Sequence, residues 1–174
     1  MTDFACVVAA DLDGGIGKNN ELPWPRLKTD LRFLKRITST ASPGRTNAVV
    51  MGRRTWDSVP APVRPLPGRV NLVISRRDLE LAAPSLHAAS LDEALAAATG
   101  AGVEQVFVIG GGQVFAEAFA HPGCRSIYLT RIQARFDCDA HIPPIEPRFV
   151  LAETIEAAVH EHELVYSIAR WDRG

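Results

Sequence analysis

Four short, nearly unbroken apolar runs limit what this chain can fold into: FACVVAA at Phe4–Ala10, NAVVM at 47–51, VNLVI at 70–74 and QVFVI at 105–109. A strand with one wet face alternates apolar and polar residues, so runs like these belong to strands covered on both sides. Between them lie segments with helical spacing. Residues 27–37 carry apolar side chains at 27, 31, 34 and 37 together with Phe33. Residues 91–98 (LDEALAAA) follow Ser90, an N-cap with Glu93 three positions on to complete a capping box. Residues 113–120 form a third helix. Strands alternating with helices predict a mostly parallel sheet with helices on both faces. Residues 126–132, 149–156 and 163–171 are also strand-like, and no helix separates the last two. The expected fold is α/β: a single domain over 1–174 whose central, mostly parallel twisted sheet has an antiparallel C-terminal edge.

Composition removes several classes of function. The formal net charge is -1, so no global field draws the protein to nucleic acid, and basic clusters are read as local sites. The apolar run at Phe4–Ala10 is too short to span a membrane and lacks a basic flank, so neither a membrane partner nor a signal peptide is expected. The 3 cysteines (Cys6, Cys124, Cys138) are odd in number and include no CxxC pair. That argues against a disulfide framework or a metal site and for a reducing, cytoplasmic setting. Nothing demands more than a monomer.

Chemistry concentrates at the ends of the apolar runs. Gly110-Gly111-Gly112 follows one run and opens a helix. Glycines let backbone approach a diphosphate, and a helix N-terminus offers unpaired N–H groups. Phe115 replaces the last glycine of the dinucleotide fingerprint, so the triplet alone serves equally as a tight strand-to-helix turn. Gly52-Arg53-Arg54-Thr55-Trp56 follows a second run and Ser75-Arg76-Arg77 a third. Taken singly, each arginine is a solvated surface charge. As a set at converging strand ends they form an anion site, because ligands of open α/β sheets sit beyond the strands' carboxyl ends. Arg53, Ser75 and Arg76 suit a 2′-phosphate and favour NADPH over NADH.

Residues 11–24, with Gly14, Gly15, Gly17, Asn19, Asn20 and Pro23, read as a long loop of the kind that is often functional. Asp30 borders the apolar stripe of Leu27, Leu31 and Leu34. By helix reasoning alone it is a first-turn acid favoured by the dipole. At a cleft it would instead grip a cationic or amide-like heterocycle through two parallel hydrogen bonds. The prolines of Arg64-Pro65-Leu66-Pro67-Gly68-Arg69 either make an ordinary surface loop or hold Arg69 as a fixed fork for a carboxylate.

Together these segments resemble the dihydrofolate reductases over nearly the whole chain. The pieces are GIGKNNELPWP at 15–25, TDLRFLKRIT at 29–38, VVMGRRTWDSVP at 49–60, RPLPGRVNLVISR at 64–76, VIGGGQVF at 108–115 and YLTRI at 128–132. The resemblance implies NADPH-dependent reduction of dihydrofolate, with methotrexate-like antifolates as further ligands. It implies that Asp30 grips the pteridine and promotes protonation of its N5, and that Thr130 hydrogen-bonds that acid. Val7, Val8, Leu31, Leu34, Val59, Leu66 and Ile109 would line the folate pocket, and Arg69 would bind the α-carboxylate of the glutamate tail. Ala9 and Ile16 would border the nicotinamide. Gly52, Arg53, Arg54, Thr55, Ser75, Arg76, Gly111, Gly112, Gln113 and Val114 would hold the rest of the cofactor. Gly110-Gly111 matches the family's cis peptide, and Asp139 the acid that steadies the loop at 14–24.

Two positions depart from the family pattern. Phe115 stands where a tyrosine usually places its hydroxyl near the nicotinamide, and Leu34 where a phenylalanine usually packs on the substrate. Both predict reduced but present activity. Two other functions compete: a reductase of another pterin or of a pyrimidine, for which Arg69 would be idle, and a nucleotide-binding module without catalysis, against which the Asp30–Thr130 pair speaks.

Overall fold

The computed structural model describes residues 1–81 and 84–174. In chain order its elements are β1 (Phe4–Ala10), β2 (Gly15–Gly17), α1 (Lys28–Ser39), β3 (Asn47–Gly52), α2 (Arg53–Ser58), β4 (Arg69–Ile74), β5 (Ser85–Ala88), α3 (Leu91–Gly100), β6 (Val106–Gly110), α4 (Gly112–Ala120), β7 (Cys124–Ile132), β8 (Ala140–His141), β9 (Phe149–Glu161) and β10 (Leu164–Arg173). The large sheet runs β5-β4-β3-β6-β1-β7-β10-β9. Pairings from β5 through to β7 are parallel. The last two, β7 with β10 and β10 with β9, are antiparallel, as the helix-free C-terminus led us to expect.

The apolar runs become central strands because both faces are covered. Ala48, Val49, Val50 and Met51 of β3 are fully buried. Side chains alternate along a strand, so the core divides in two. Val8, Val50 and Val108 pack with Leu91 and Leu95 of α3 and Phe115 and Phe119 of α4 on one face. Val7, Val49, Met51 and Phe107 pack with Trp24, Leu27 and Phe33 on the other. Each fully buried Val, Leu or Phe contributes about 1.5–3 kcal/mol. At α3, Ser90 Oγ accepts from the Glu93 N–H at 3.1 Å. The Glu93 carboxylate reaches back to the Ala89 N–H at 2.8 Å, one residue before the position a capping box gives it.

Three sequence expectations change. The loop at 11–24 contains β2, which pairs with β8 (Gly15 with His141, Gly17 with Ala140). β5 is an edge strand whose four residues SLHA lacked an apolar run to announce them. β9 continues to Glu161, beyond the expected 156, because pairing with β10 sustains a strand of which one face is exposed and the other only partly packed, through Ile155 and Val159.

Candidate active site

β6 lies between β1 and β3 in the sheet. α1 crosses from β1 to β3 on one face, while α4 leads from β6 to β7 on the other. Chain connections therefore part on either side of the carboxyl ends of β1 and β6, and this is where open α/β sheets hold ligands.

Asp30, half-buried in the first turn of α1, faces this cleft. The buried Thr130 hydroxyl of β7 donates to its Oδ1 at 2.6 Å. Among the described residues no cation pairs with it. Burial pushes the carboxyl above its ordinary pKa, the Thr130 hydrogen bond opposes this, and the charge of Glu161 adds to it. Such a carboxylate holds a proton or a hydrogen-bonding ligand more readily than a solvated one.

Val7, Ala9, Leu34, Leu66 and Ile109 belong to the packed cluster on the same face as α1. Leu31 and Val59 are partly exposed and stand outside that cluster. Val8 corrects the reading made from sequence. One residue after Val7, its side chain points to the opposite face and packs with the α3–α4 core. It can present only backbone to the folate side.

The segment at 64–69 is pinned rather than free. Asn71 Oδ1 accepts from the Leu66 N–H at 2.9 Å, and its amide donates to Leu66 O and Arg69 O, each at 3.0 Å. The Arg64 guanidinium donates to Trp56 O at 3.1 Å and lies 5.1 Å over the Trp56 ring. Arg69, itself only 6% exposed, donates through Nε to Pro67 O at 2.9 Å and through Nη1 to Thr38 Oγ1 at 3.0 Å. Burial lowers its pKa, and no carboxylate pairs with it among the described residues. A buried guanidinium so held is a preformed site for an anion.

The glycine ends of β3 and β6 meet. A Cβ on Gly52 would lie 3.2 Å from Val114 Cγ2 and 3.8 Å from Gly110 O and Gly111 N. A Cβ on Gly111 would lie 3.4 Å from the Thr55 hydroxyl, and one on Gly112 would lie 3.2 Å from His141 O and 3.7 Å from Ile16 Cδ1. The Gly110–Gly111 peptide is cis. Gly111 is the N-cap of α4 and supplies no side-chain acceptor, so the first N–H groups of that helix are open. Arg53, Arg54, Arg76 and Gln113 are exposed around this cradle. Among the described residues Arg53 is engaged only by Asp57, at 3.6 Å, an exposed pair worth little. Ser75 Oγ accepts from the Arg77 N–H at 3.2 Å. Close backbone, an open helix end and unshielded arginines fit the diphosphate and 2′-phosphate of NADPH.

The loop over this region is held at both ends. Asp11 Oδ1 accepts from Asp13 N and Gly15 N at 2.9 and 2.8 Å, and Oδ2 accepts from Phe136 N at 2.9 Å. Burial works to raise the Asp11 pKa, yet these donors outweigh it and leave the acid below its ordinary value. Asp139 Oδ2 accepts from the Asn19 N–H at 3.0 Å, and the Asn20 amide donates to Arg54 O at 3.0 Å, tying the loop to α2. Sequence reading missed Asp11, Thr38 and Asn71. Only Asp11 carried a local signal, an acid directly before a glycine turn; the other two act through distant partners.

Phe115, 3% exposed, packs its ring at 5.9 Å from that of Phe119, beside Gly110. Its ring thus lies against the glycine cradle, with Cζ 3.6 Å from where a Cβ on Gly110 would stand. Leu34 packs in the α1-side cluster.

The chain is 40% identical over 148 residues to a dihydrofolate reductase of Rattus norvegicus, covering 81% of this chain and 79% of that protein. It is 48% identical over 151 residues to a bifunctional dihydrofolate reductase-thymidylate synthase of Glycine max. A similar enzyme of Arabidopsis thaliana is 44% identical over 154 residues. These plant matches cover 82% and 84% of this chain but only 28% and 27% of the relatives, so the chain spans less than a third of their length. The family model for dihydrofolate reductase matches residues 3–173, and the chain belongs to the dihydrofolate reductase family.

Proposed function

We propose that this protein reduces 7,8-dihydrofolate to 5,6,7,8-tetrahydrofolate with NADPH, acting as one domain over 1–174, as a monomer and in the cytoplasm. No helix among the described residues is long and apolar enough to cross a membrane. The observation that carries the proposal is the half-buried Asp30, held by Thr130 at 2.6 Å and, among the described residues, without a paired cation.

NADPH, when bound, supplies a hydride from nicotinamide C4 to pterin C6. The protein positions and polarises. Asp30 accepts two N–H groups of the pterin edge and polarises the ring, so that N5 takes its proton from water. Val7, Leu31, Leu34, Val59, Leu66 and Ile109 enclose the substrate, and Arg69 fixes its α-carboxylate. Ala9 and Ile16 border the second ring. Gly52, Arg53, Arg54, Thr55, Ser75, Arg76, Gly111, Gly112, Gln113 and Val114 would hold the rest of the cofactor. The loop anchored by Asp11 and Asp139 excludes water. Fixing two rings in register is worth on the order of several kcal/mol of barrier. Methotrexate, which presents a more basic ring to Asp30, is expected to bind the same site.

Loss of absorbance at 340 nm with purified protein, NADPH and dihydrofolate tests this. Turnover that is fast with NADPH, slow with NADH and absent with biopterin supports the reading. Turnover with biopterin but not dihydrofolate moves the substrate. Tight NADPH binding without turnover of any pterin refutes catalysis.

A further inference from the structure

α1 begins without a cap of its own. Leu27 holds the N-cap position at φ -98°, ψ 103° and has no side-chain acceptor. The first N–H groups of a helix lack intrahelical partners and need an acceptor from elsewhere. Here it comes from 133 residues along the chain: Glu161 Oε2, at the end of β9, accepts from the Lys28 N–H at 2.7 Å. The Thr29 N–H faces the same carboxylate.

The second oxygen is also engaged. Glu161 Oε1 accepts from the Tyr166 hydroxyl at 2.9 Å. Tyr166 is fully buried in β10, and its oxygen also faces the Thr29 hydroxyl and the Asp30 N–H. Burial first, then Glu161, pushes the phenol's pKa up to about 12, so it remains a donor. The β9–β10 hairpin thus grips the first turn of α1 through three consecutive residues, the last of them Asp30.

We infer that Glu161 is a positioning residue for the reduction: it fixes the first turn of α1, and so Asp30, against β9 and β10, and its charge sets how strongly Asp30 polarises the substrate. The inference rests on the proposed reduction of dihydrofolate. The groups facing Asp30 are the Thr130 hydroxyl from β7, the Tyr166 hydroxyl from β10 and Glu161 from β9. Those facing Glu161 are Lys28 and Thr29 of α1, Tyr166, and His162, whose Nε2 lies 3.9 Å from Oε2. The Lys28 N–H, then Tyr166, hold Glu161 below its ordinary pKa against the effect of burial.

The test reads Asp30 directly, by carboxyl carbon NMR against pH, beside the pH dependence of single-turnover hydride transfer. Glu161→Gln keeps an acceptor for the Lys28 N–H and removes the charge. Asp30 is expected to titrate at lower pH, and the limb on which hydride transfer slows with rising pH to move down with it. The rate at pH 7.5 falls by roughly three- to tenfold, since one pKa unit is a tenfold change in proton occupancy. KM for dihydrofolate changes by less than about twofold. Glu161→Asp, which keeps the charge, returns the Asp30 titration toward the parent curve. In the unsubstituted protein, the Asp30 curve carries a second inflection where Glu161 titrates, and the Lys28 amide proton shifts at that same pH. Superimposable Asp30 curves in parent and Gln variant, or a Lys28 amide indifferent to Glu161, overturn the inference. If Asp30 responds as expected while the parent oxidises no NADPH with dihydrofolate, it is the proposed reduction that fails.

Discussion

The Thr130 hydroxyl and the Asp30 carboxylate, 100 residues apart in the chain, meet at 2.6 Å across the gap between β7 and α1. Thr130 is 2% exposed, so its hydroxyl has no solvent to turn to. Thr130→Val keeps the shape and removes the donor. It is expected to cost about 1–2 kcal/mol of stability and to slow hydride transfer by roughly tenfold, equivalent to about 1.4 kcal/mol of barrier. Urea unfolding and single-turnover kinetics check this. A Val variant with the parent's kinetics would show that Thr130 plays no part in orienting Asp30.

Asp30→Asn separates activity from stability. The folded state raises the Asp30 pKa, so folding disfavours its charge. That destabilisation is fully present above the folded pKa and disappears as pH falls below the ordinary carboxylate range. At neutral pH the Asn variant is therefore expected to melt no lower than the parent, with the difference vanishing in acid. Its hydride transfer at pH 7.5 falls by roughly 100-fold or more, recovering at low pH where the substrate protonates itself. Melting curves at two pH values and a rate profile decide both halves; undiminished turnover removes Asp30 from the chemistry.

Arg69→Lys tests the carboxylate fork. Lysine cannot donate to Pro67 O, Thr38 Oγ1 and two carboxylate oxygens at once. KM for dihydrofolate is expected to rise by roughly 30- to 100-fold, the equivalent of about 2–3 kcal/mol, with little change in kcat. A pterin without a glutamate tail should bind the variant and the parent alike. A selective loss for the tail-less pterin would place Arg69 elsewhere in the mechanism.

Phe115→Tyr places a hydroxyl on the ring that packs beside Gly110. A dipole aimed at charge developing in the cofactor ring lowers the barrier. Single-turnover hydride transfer is expected to rise by roughly three- to tenfold in this variant. A slower hydride step would mean that the missing hydroxyl does not limit the reaction.

Local chemistry alone determined much of this protein. The unbroken apolar runs fixed central strands buried on both faces, because no alternation leaves a wet side. Ser90 and Glu93 fixed the start of α3, and glycines at 52 and 110–112 marked where backbone comes close, because only backbone without Cβ allows it. Of the residues carried over from the family, Asp30 lies in the first turn of α1 and Thr130 near the carboxyl end of β7, whereas Arg69 opens β4. Tertiary structure alone decided the rest. Only the pleat of β1 shows that Val7 and Val8 serve opposite cores. Asp30 read by itself was a first-turn acid; a hydroxyl 100 residues away and a carboxylate 133 residues from its helix start make it a poised one. Thr38, Asn71, Glu161 and Tyr166 gave no local sign, because each works through a hydrogen bond to a residue that the sequence does not place beside it. Spacing along a chain reports periodicity and turn chemistry, whereas a long-range hydrogen bond depends on how elements dock, and that is settled only when the whole sheet closes.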